Sequence, residues 1–267
     1  MKLTNLTLKA LLLVLILSPI VPATAQTPEE QGKEIAVEAK KRDTGWNDNK
    51  SVSKMILRNK QGQESVRVLR QNNFEVNDEG LGDKSVVVFD EPRDIQGTAL
   101  LSHTKILDPD DQWLYLPALK RVKRISSKNK SGPFVGSEFA YEDLLAQEVE
   151  KYNYKFLREE KCGELECFVV ESYPLYKNSG YTRLNVWWDM DEYRVQKIDF
   201  YDRKDSLLKT LTYNGYQQYN NKFWRADKLS MVNHQTGKST DIIIDDWEFA
   251  IGQNVNEFTP ARLKRAK

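Results

Sequence analysis

Tyr181-Thr182-Arg183-Leu184-Asn185-Val186-Trp187-Trp188, closed by Asp189-Met190-Asp191 and followed by Val195–Tyr201 and Leu207–Tyr213, decides the fold. Leu184, Val186 and Trp188 fall on one face of an extended chain, and Arg183, Asn185 and Trp187 on the other. That is the two-residue period of a half-buried strand. Outward from this stretch the pattern recurs at Val52–Arg58, Ser65–Arg70, Ser85–Phe89, Thr98–Ile106, Gln112–Leu116, Arg121–Ile125, Tyr154–Arg158, Cys167–Ser172, Phe223–Val232 and Thr240–Phe249. Turn chemistry separates the runs, as in Asp108-Pro109-Asp110-Asp111, Asn220-Asn221 and His234-Gln235-Thr236-Gly237. Helical signal is sparse. Thr27 caps a helix that opens at Pro28 and runs to about Lys41, and a second helix is predicted over Glu138–Glu150. No βαβ alternation, Pro-rich linker or internal repeat divides the chain. The expectation is a mainly β protein, one curved antiparallel sheet or barrel of about ten to thirteen strands with helices packed on it.

The first 25 residues read differently. Lys2 and Lys9 precede the apolar run Ala10–Pro22, which ends in Ala23-Thr24-Ala25. A basic start, a short apolar stretch and a small-x-small site predict a secretory leader cut after Ala25. Pro19 and Pro22 interrupt the run before the roughly 20 apolar residues that a bilayer span requires. No cysteine follows it, as a lipid-carrying leader would need. Residues 26–267 are then one exported domain, and losing the two leader lysines moves the formal charge from +1 to −1.

Composition narrows the chemistry. With 40% hydrophobic and 30% charged residues, the 267-residue chain can bury a core and is not a disordered polymer. Its balanced charge gives no bulk attraction to nucleic acid. Two histidines and two cysteines are too few for a multi-His centre or a Cys-rich zinc site, so no metal and no cofactor is expected. His103 lies in a strand beside Ser102 and His234 precedes a turn, neither in a nucleophile-elbow pattern. Asp108, Asp110 and Asp111 lack the central Gly and distal Glu of a calcium loop. Asp245 and Asp246, adjacent on a strand, are expected on opposite faces. No catalytic residue is identified. Cys162 and Cys167 flank a Gly-containing turn between two strands, which in an oxidising compartment predicts a hairpin-end disulfide.

Two surfaces are candidates for binding. The uncharged face Leu184, Val186 and Trp188, continued by Ile198 and Phe200 on the next strand, could wall a concavity. An ordinary packed core explains the same residues, and composition does not choose. Lys120, Arg121, Lys123 and Arg124, with Lys128 and Lys130 beyond them, form a basic strand and loop. Such a strand either discourages edge pairing or meets anionic headgroups or an acidic partner.

Asp94-Ile95-Gln96-Gly97-Thr98-Ala99-Leu100-Leu101, Asp111-Gln112-Trp113-Leu114-Tyr115-Leu116-Pro117-Ala118-Leu119 and Arg121-Val122-Lys123-Arg124-Ile125 carry a family resemblance. They resemble the outer-membrane lipoprotein-sorting proteins, the LolA/LolB-like carriers of Gram-negative bacteria. Gly136-Ser137-Glu138-Phe139-Ala140-Tyr141-Glu142-Asp143-Leu144 continues the likeness. The resemblance implies a half-open antiparallel barrel with a helical lid, whose apolar concave face shelters acyl chains in the periplasm. Phe134, Val135, Phe139, Leu144 and Leu145 would belong to that lid, covering the open side and moving as cargo enters. Lipid or lipoprotein cargo is the implied partner, with peripheral membrane contact and, in this branch, an inner-membrane exporter of the resistance–nodulation–division type as a second candidate. No lid-locking arginine can be matched residue by residue. The expected function is that of a periplasmic carrier or chaperone for amphiphilic cargo, acting without covalent chemistry. The alternative is an accessory subunit of an exporter that binds protein rather than lipid.

Overall fold

Thr27 opens the first helix with a reciprocal cap. Its hydroxyl accepts from the Glu30 amide at 3.2 Å, and the Glu30 carboxylate accepts from the Thr27 amide at 2.9 Å. Helix α1 (Pro28–Arg42) follows, with Glu29 and Glu30 in its first turn and Lys40, Lys41 and Arg42 in its last, in the sense the helix dipole favours. It buries Gly32, Ile35 and Ala36. At Gly32 a Cβ would lie 2.8 Å from the Phe156 amide nitrogen, so only glycine lets the helix approach the neighbouring strand this closely. The computed structural model describes residues 26–78 and 80–265. The leader and its cleavage after Ala25 lie outside these.

Among the described residues, thirteen antiparallel strands make one sheet. The first six are β1 (Asp48–Arg58), β2 (Glu64–Phe74), β3 (Leu81–Glu91), β4 (Ala99–Lys105), β5 (Asp111–Leu116) and β6 (Arg121–Arg124). The second series is β7 (Tyr152–Cys162), β8 (Leu165–Pro174), β9 (Tyr181–Asp189), β10 (Val195–Asp202), β11 (Leu207–Tyr219), β12 (Phe223–Asn233) and β13 (Ser239–Phe249). Each pairs with its chain neighbour, and β1 with β13 joins the two series, leaving β6 and β7 as the edges. The sheet is mainly β, curved and unclosed, as predicted, and each expected strand is present.

The segment between the edges, residues 125–151, crosses the inner face as a strap. The helix expected over Glu138–Glu150 is not there. Only short 3₁₀ turns at Tyr141–Leu144 and Val149–Lys151 fall within it. Tertiary partners take the backbone hydrogens that a helix would use. The Tyr141 amide donates to Gly132 O, the Glu142 amide to Lys130 O and the Glu138 amide to the Thr240 hydroxyl.

Two clusters pack on the inner face. Val170, Leu184, Val186, Ile198, Phe200, Leu211 and Met231 pack under α1 and under Phe139 and Val149 of the strap. Met55, Leu69, Val87, Phe89 and Leu100 pack under Phe134. On the outer face Phe258 and Leu263, the latter in α2 (Pro260–Leu263), cover Val86, Val88, Ala99 and Leu101. Cys162 and Cys167 form the predicted disulfide across the β7–β8 hairpin.

One strand departs from alternation. Val52 pairs with Asp246 but Ser53 pairs with Ile244, so a bulge at Asp245 adds one residue to β13. It corrects the expectation that Asp245 and Asp246 face opposite sides: both are exposed, and Ile244 and Trp247, three residues apart, both face inward.

Candidate functional site

The inner face is only partly filled. Towards the C-terminal end of α1 a cavity of about 850 Å³ remains between the sheet, the helix and residues 144–147 of the strap. Its volume lies within the roughly 300–1,000 Å³ range of sites for single small ligands. The cavity is lined by residues of β1–β3 and β9–β13, drawn mainly from the inward face that side-chain alternation creates.

The two sides of the cavity differ. Strands β9–β13 supply Trp188, Val195, Leu211, Tyr213, Leu229, Ile242, Ile244 and Trp247, with Leu144 and Leu145 above. Strands β1–β3 supply the polar Asn49, Ser51, Ser53, Gln71, Asn73 and Ser85, together with Asp83, Lys84 and Val87. The amide of Asn73 bonds Asn49 at 2.7 Å, and that of Gln71 bonds Asn73 at 2.8 Å. Burial holds the Tyr213 hydroxyl protonated far above its ordinary range.

Charges gather at the mouth, where three elements meet. Lys40 of α1 lies 3.2 Å from Glu148 of the strap and 4.0 Å from Asp83 of β3. Burial pushes the Asp83 carboxyl up to about 6 against the pull of Lys40 and a hydrogen bond from the Val76 amide, with Glu148 and Glu75 adding repulsion. Burial alone would lower Lys40, but Glu148 and Asp83 raise it on balance. Arg194 is paired with Asp189 at 2.7 Å and Arg225 with Asp43 at 2.6 Å.

The residues expected from sequence are distributed unevenly. Of the inward-facing set, only Trp188 lines the cavity. Leu184, Val186, Ile198 and Phe200 share its face, as expected, but are sealed beneath α1, Phe139 and Val149 as core. In the strap, Phe134 is a core plug with Val135 beside it, Phe139 packs into the core and also borders the cavity, and Leu144 and Leu145 reach the cavity. Lys120, Arg121 and Lys123 stand exposed along the edge strand β6, while Arg124 pairs with Asp111. Lys130 leaves the basic group: it is buried, donating to Asp110 O at 2.6 Å.

Sequence reasoning missed the groups that hold the strap. Lys209 of β11 donates to Asp143 at 2.6 Å and to Glu138 O at 2.9 Å, with both side chains of the pair almost wholly buried. Tyr181 donates to the same carboxylate at 2.7 Å. Arg67 of β2 donates to Val135 O, where Val135 takes a left-handed backbone, φ 47°, that a β-branched residue adopts only under constraint. The polar wall was missed too, although its signal was present. Asn49, Ser51 and Ser53 alternate with Lys50, Val52 and Lys54, leaving the strand no clear apolar face.

The histidines serve structure. His103 bonds Phe258 O at 2.8 Å and packs on Trp113, and His234 bonds the Thr210 hydroxyl at 2.8 Å. Among the described residues no group of three or more His, Cys, Asp or Glu could hold a metal.

A family model described as an uncharacterized protein matches residues 82–265. An outer membrane lipoprotein-sorting protein domain from Vibrio parahaemolyticus is 53% identical, covering 89% of this chain and 100% of that one, with a TM-score of 0.86. The chain belongs to the LolA-like outer-membrane lipoprotein-sorting family. A DUF1329 family protein from Desulfovibrio piger has 27% identity over 89% of this chain and 100% of that one, with a TM-score of 0.83. A LolA superfamily protein from Nitrosomonas europaea, at 19% identity, covers 85% of this chain and 97% of that one with a TM-score of 0.66, a likeness of fold. No curated protein matches. In this chain the lipoprotein-sorting fold leaves a cavity under the strap.

Proposed function

We propose that this protein is a periplasmic carrier that takes the apolar part of an amphiphile, lipid or lipid-modified protein, into the cavity between β9–β13 and the strap. The observation that carries this reading is the unfilled cavity with an apolar wall in a lipoprotein-sorting fold. Transfer of an acyl chain from water to that wall yields roughly 0.8 kcal/mol per methylene, so a few buried methylenes give a reversible hold. No bond need be made or broken.

Ile244→Trp tests it. Ile244 lines the cavity and is only half-buried, so a larger side chain can fill space there without displacing core. The variant should keep its circular dichroism spectrum and lose uptake of a fluorescent acyl probe. Undiminished uptake would refute the cavity as the cargo site.

The exposed Lys120, Arg121 and Lys123 on an edge strand favour a second, compatible contact, with the anionic surface of a membrane or exporter. Reversing these charges should weaken sedimentation with anionic vesicles and leave probe uptake unchanged.

A further inference from the structure

Strands β1–β3 carry a pattern that a container for hydrocarbon alone does not require. On β1 the inward residues Asn49, Ser51 and Ser53 are at most 5% exposed, while outward Val52 is 47% exposed. The strand has placed its polar residues inside and a valine in water, the reverse of the usual preference. Strand register extends the pattern sideways: Asn49 faces Asn73 and Ser51 faces Gln71 on β2, and Asn73 faces Ser85 on β3. Further along the same strands the inward residues turn apolar, at Met55, Leu69 and Phe89, and these pack into core. The change from apolar to polar falls where the core stops and the cavity starts.

The opposite wall contributes unused donors. The indole nitrogens of Trp224 and Trp247 are buried without a hydrogen-bond partner among the described residues, and both rings line the cavity. Trp247 pairs across the sheet with Ser51, so one of these donors lies beside the polar wall. A buried donor left unpaired costs about 1–3 kcal/mol, a cost that a ligand acceptor would remove. Asn49, Ser51, Ser53, Gln71, Asn73 and Ser85 carry no charge, although Asp83 and Lys84 of β3 also line the cavity. Of the cations that line the cavity, Lys40, Arg42, Arg194 and Arg225 are paired with carboxylates of the protein, and Lys222 donates to Thr44 O at 2.6 Å.

Resting on the carrier reading, we propose that the cavity selects an uncharged amphiphile bearing hydroxyl or amide groups. Its polar head lies inside against Ser51, Gln71 and Asn73, and its hydrocarbon lies along Leu229, Ile242 and Ile244. A carboxylate or phosphate head would be desolvated there against three neutral side chains, with no cation among them. An uncharged head exchanges its water for fixed neutral partners.

Displacement of a fluorescent acyl probe from the full mature chain tests this, with a monoacylglycerol, a fatty acid and a lysophosphatidylglycerol of one chain length as competitors. The monoacylglycerol should compete about tenfold more tightly than either charged lipid, the worth of one or two net hydrogen bonds. Ser51→Ala and Gln71→Leu should each shrink that preference while fatty-acid affinity holds or rises, which also reports that the variant is folded. Equal affinities, or a preference for a charged lipid, would overturn the inference and leave the carrier reading intact. So would a preference that survives both substitutions. Failure of all three lipids to compete, with no probe uptake, would overturn the carrier reading and this inference with it.

Discussion

Val186 has no exposed surface and sits beneath α1 and Phe139, outside the cavity lining. Val186→Asp would place an unpaired carboxylate in packed hydrocarbon, which costs several kcal/mol. The variant should lose its folded circular dichroism spectrum, whereas a soluble, folded variant would mean that the site opens to solvent. Lys209 makes the opposite point, because its charge is already matched. Lys209→Met leaves Asp143 buried and under-paired and should cost about 3–5 kcal/mol, with much of it recovered in the Lys209→Met/Asp143→Leu double variant. Denaturant melts of the three proteins give the coupling, and additive losses would deny it. Asp83 sets a pH dependence. Its carboxyl is raised to about 6 in the fold from an ordinary 3.8, so the ionised form is the penalised one. The penalty is complete above about pH 6 and fades as pH falls toward 3.8, where both states are protonated. The melting temperature of the wild type, measured against Asp83→Asn, should therefore rise between pH 7 and pH 4. A flat or falling difference would contradict that shift.

At the scale of elements, the strands were legible because a two-residue period is a local property, and Leu184, Val186 and Trp188 show it without reference to anything distant. The capped start of α1 was legible for the same reason. The strap was not. Its shape depends on Gly132, Lys130 and Thr240, and on Lys209 and Arg67 from distant strands, none of which is visible in the periodicity of residues 138–150. Phe139, Leu144 and Leu145 belong to one expected lid in sequence, yet Phe139 is buried in the core beside the cavity while Leu144 and Leu145 are only partly buried over it. Any opening movement is therefore expected at residues 144–147, with the stretch from Phe134 to Asp143 held fixed. The hairpin disulfide follows local logic again. Its loop encloses few residues, so replacing both cysteines with serine should lower stability by about 3 kcal/mol or less and leave probe uptake unchanged. Loss of uptake would tie the hairpin to the site.

For the whole molecule, sequence shows which residues of a strand share a face and leaves open how deep each of them lies. Which inward residues are core and which are wall depends on where α1 and the strap come to rest, and no single strand records that. Trp188 lines the cavity while Val186, two residues earlier on the same face, is sealed. The cavity also couples stability to occupancy. A ligand that binds the folded chain alone adds about 2.7 kcal/mol at a concentration of one hundred times its Kd. For a domain of this length each kcal/mol shifts the melting temperature by about 2–4 °C, so a saturating amphiphile should raise it by roughly 5–10 °C. The rise should saturate at one ligand per chain, since a volume of about 850 Å³ falls within the range of single-ligand sites. It should disappear in Ile244→Trp, whose added ring occupies the same space. A shift of equal size in that variant, or saturation at several ligands per chain, would place the binding outside the cavity.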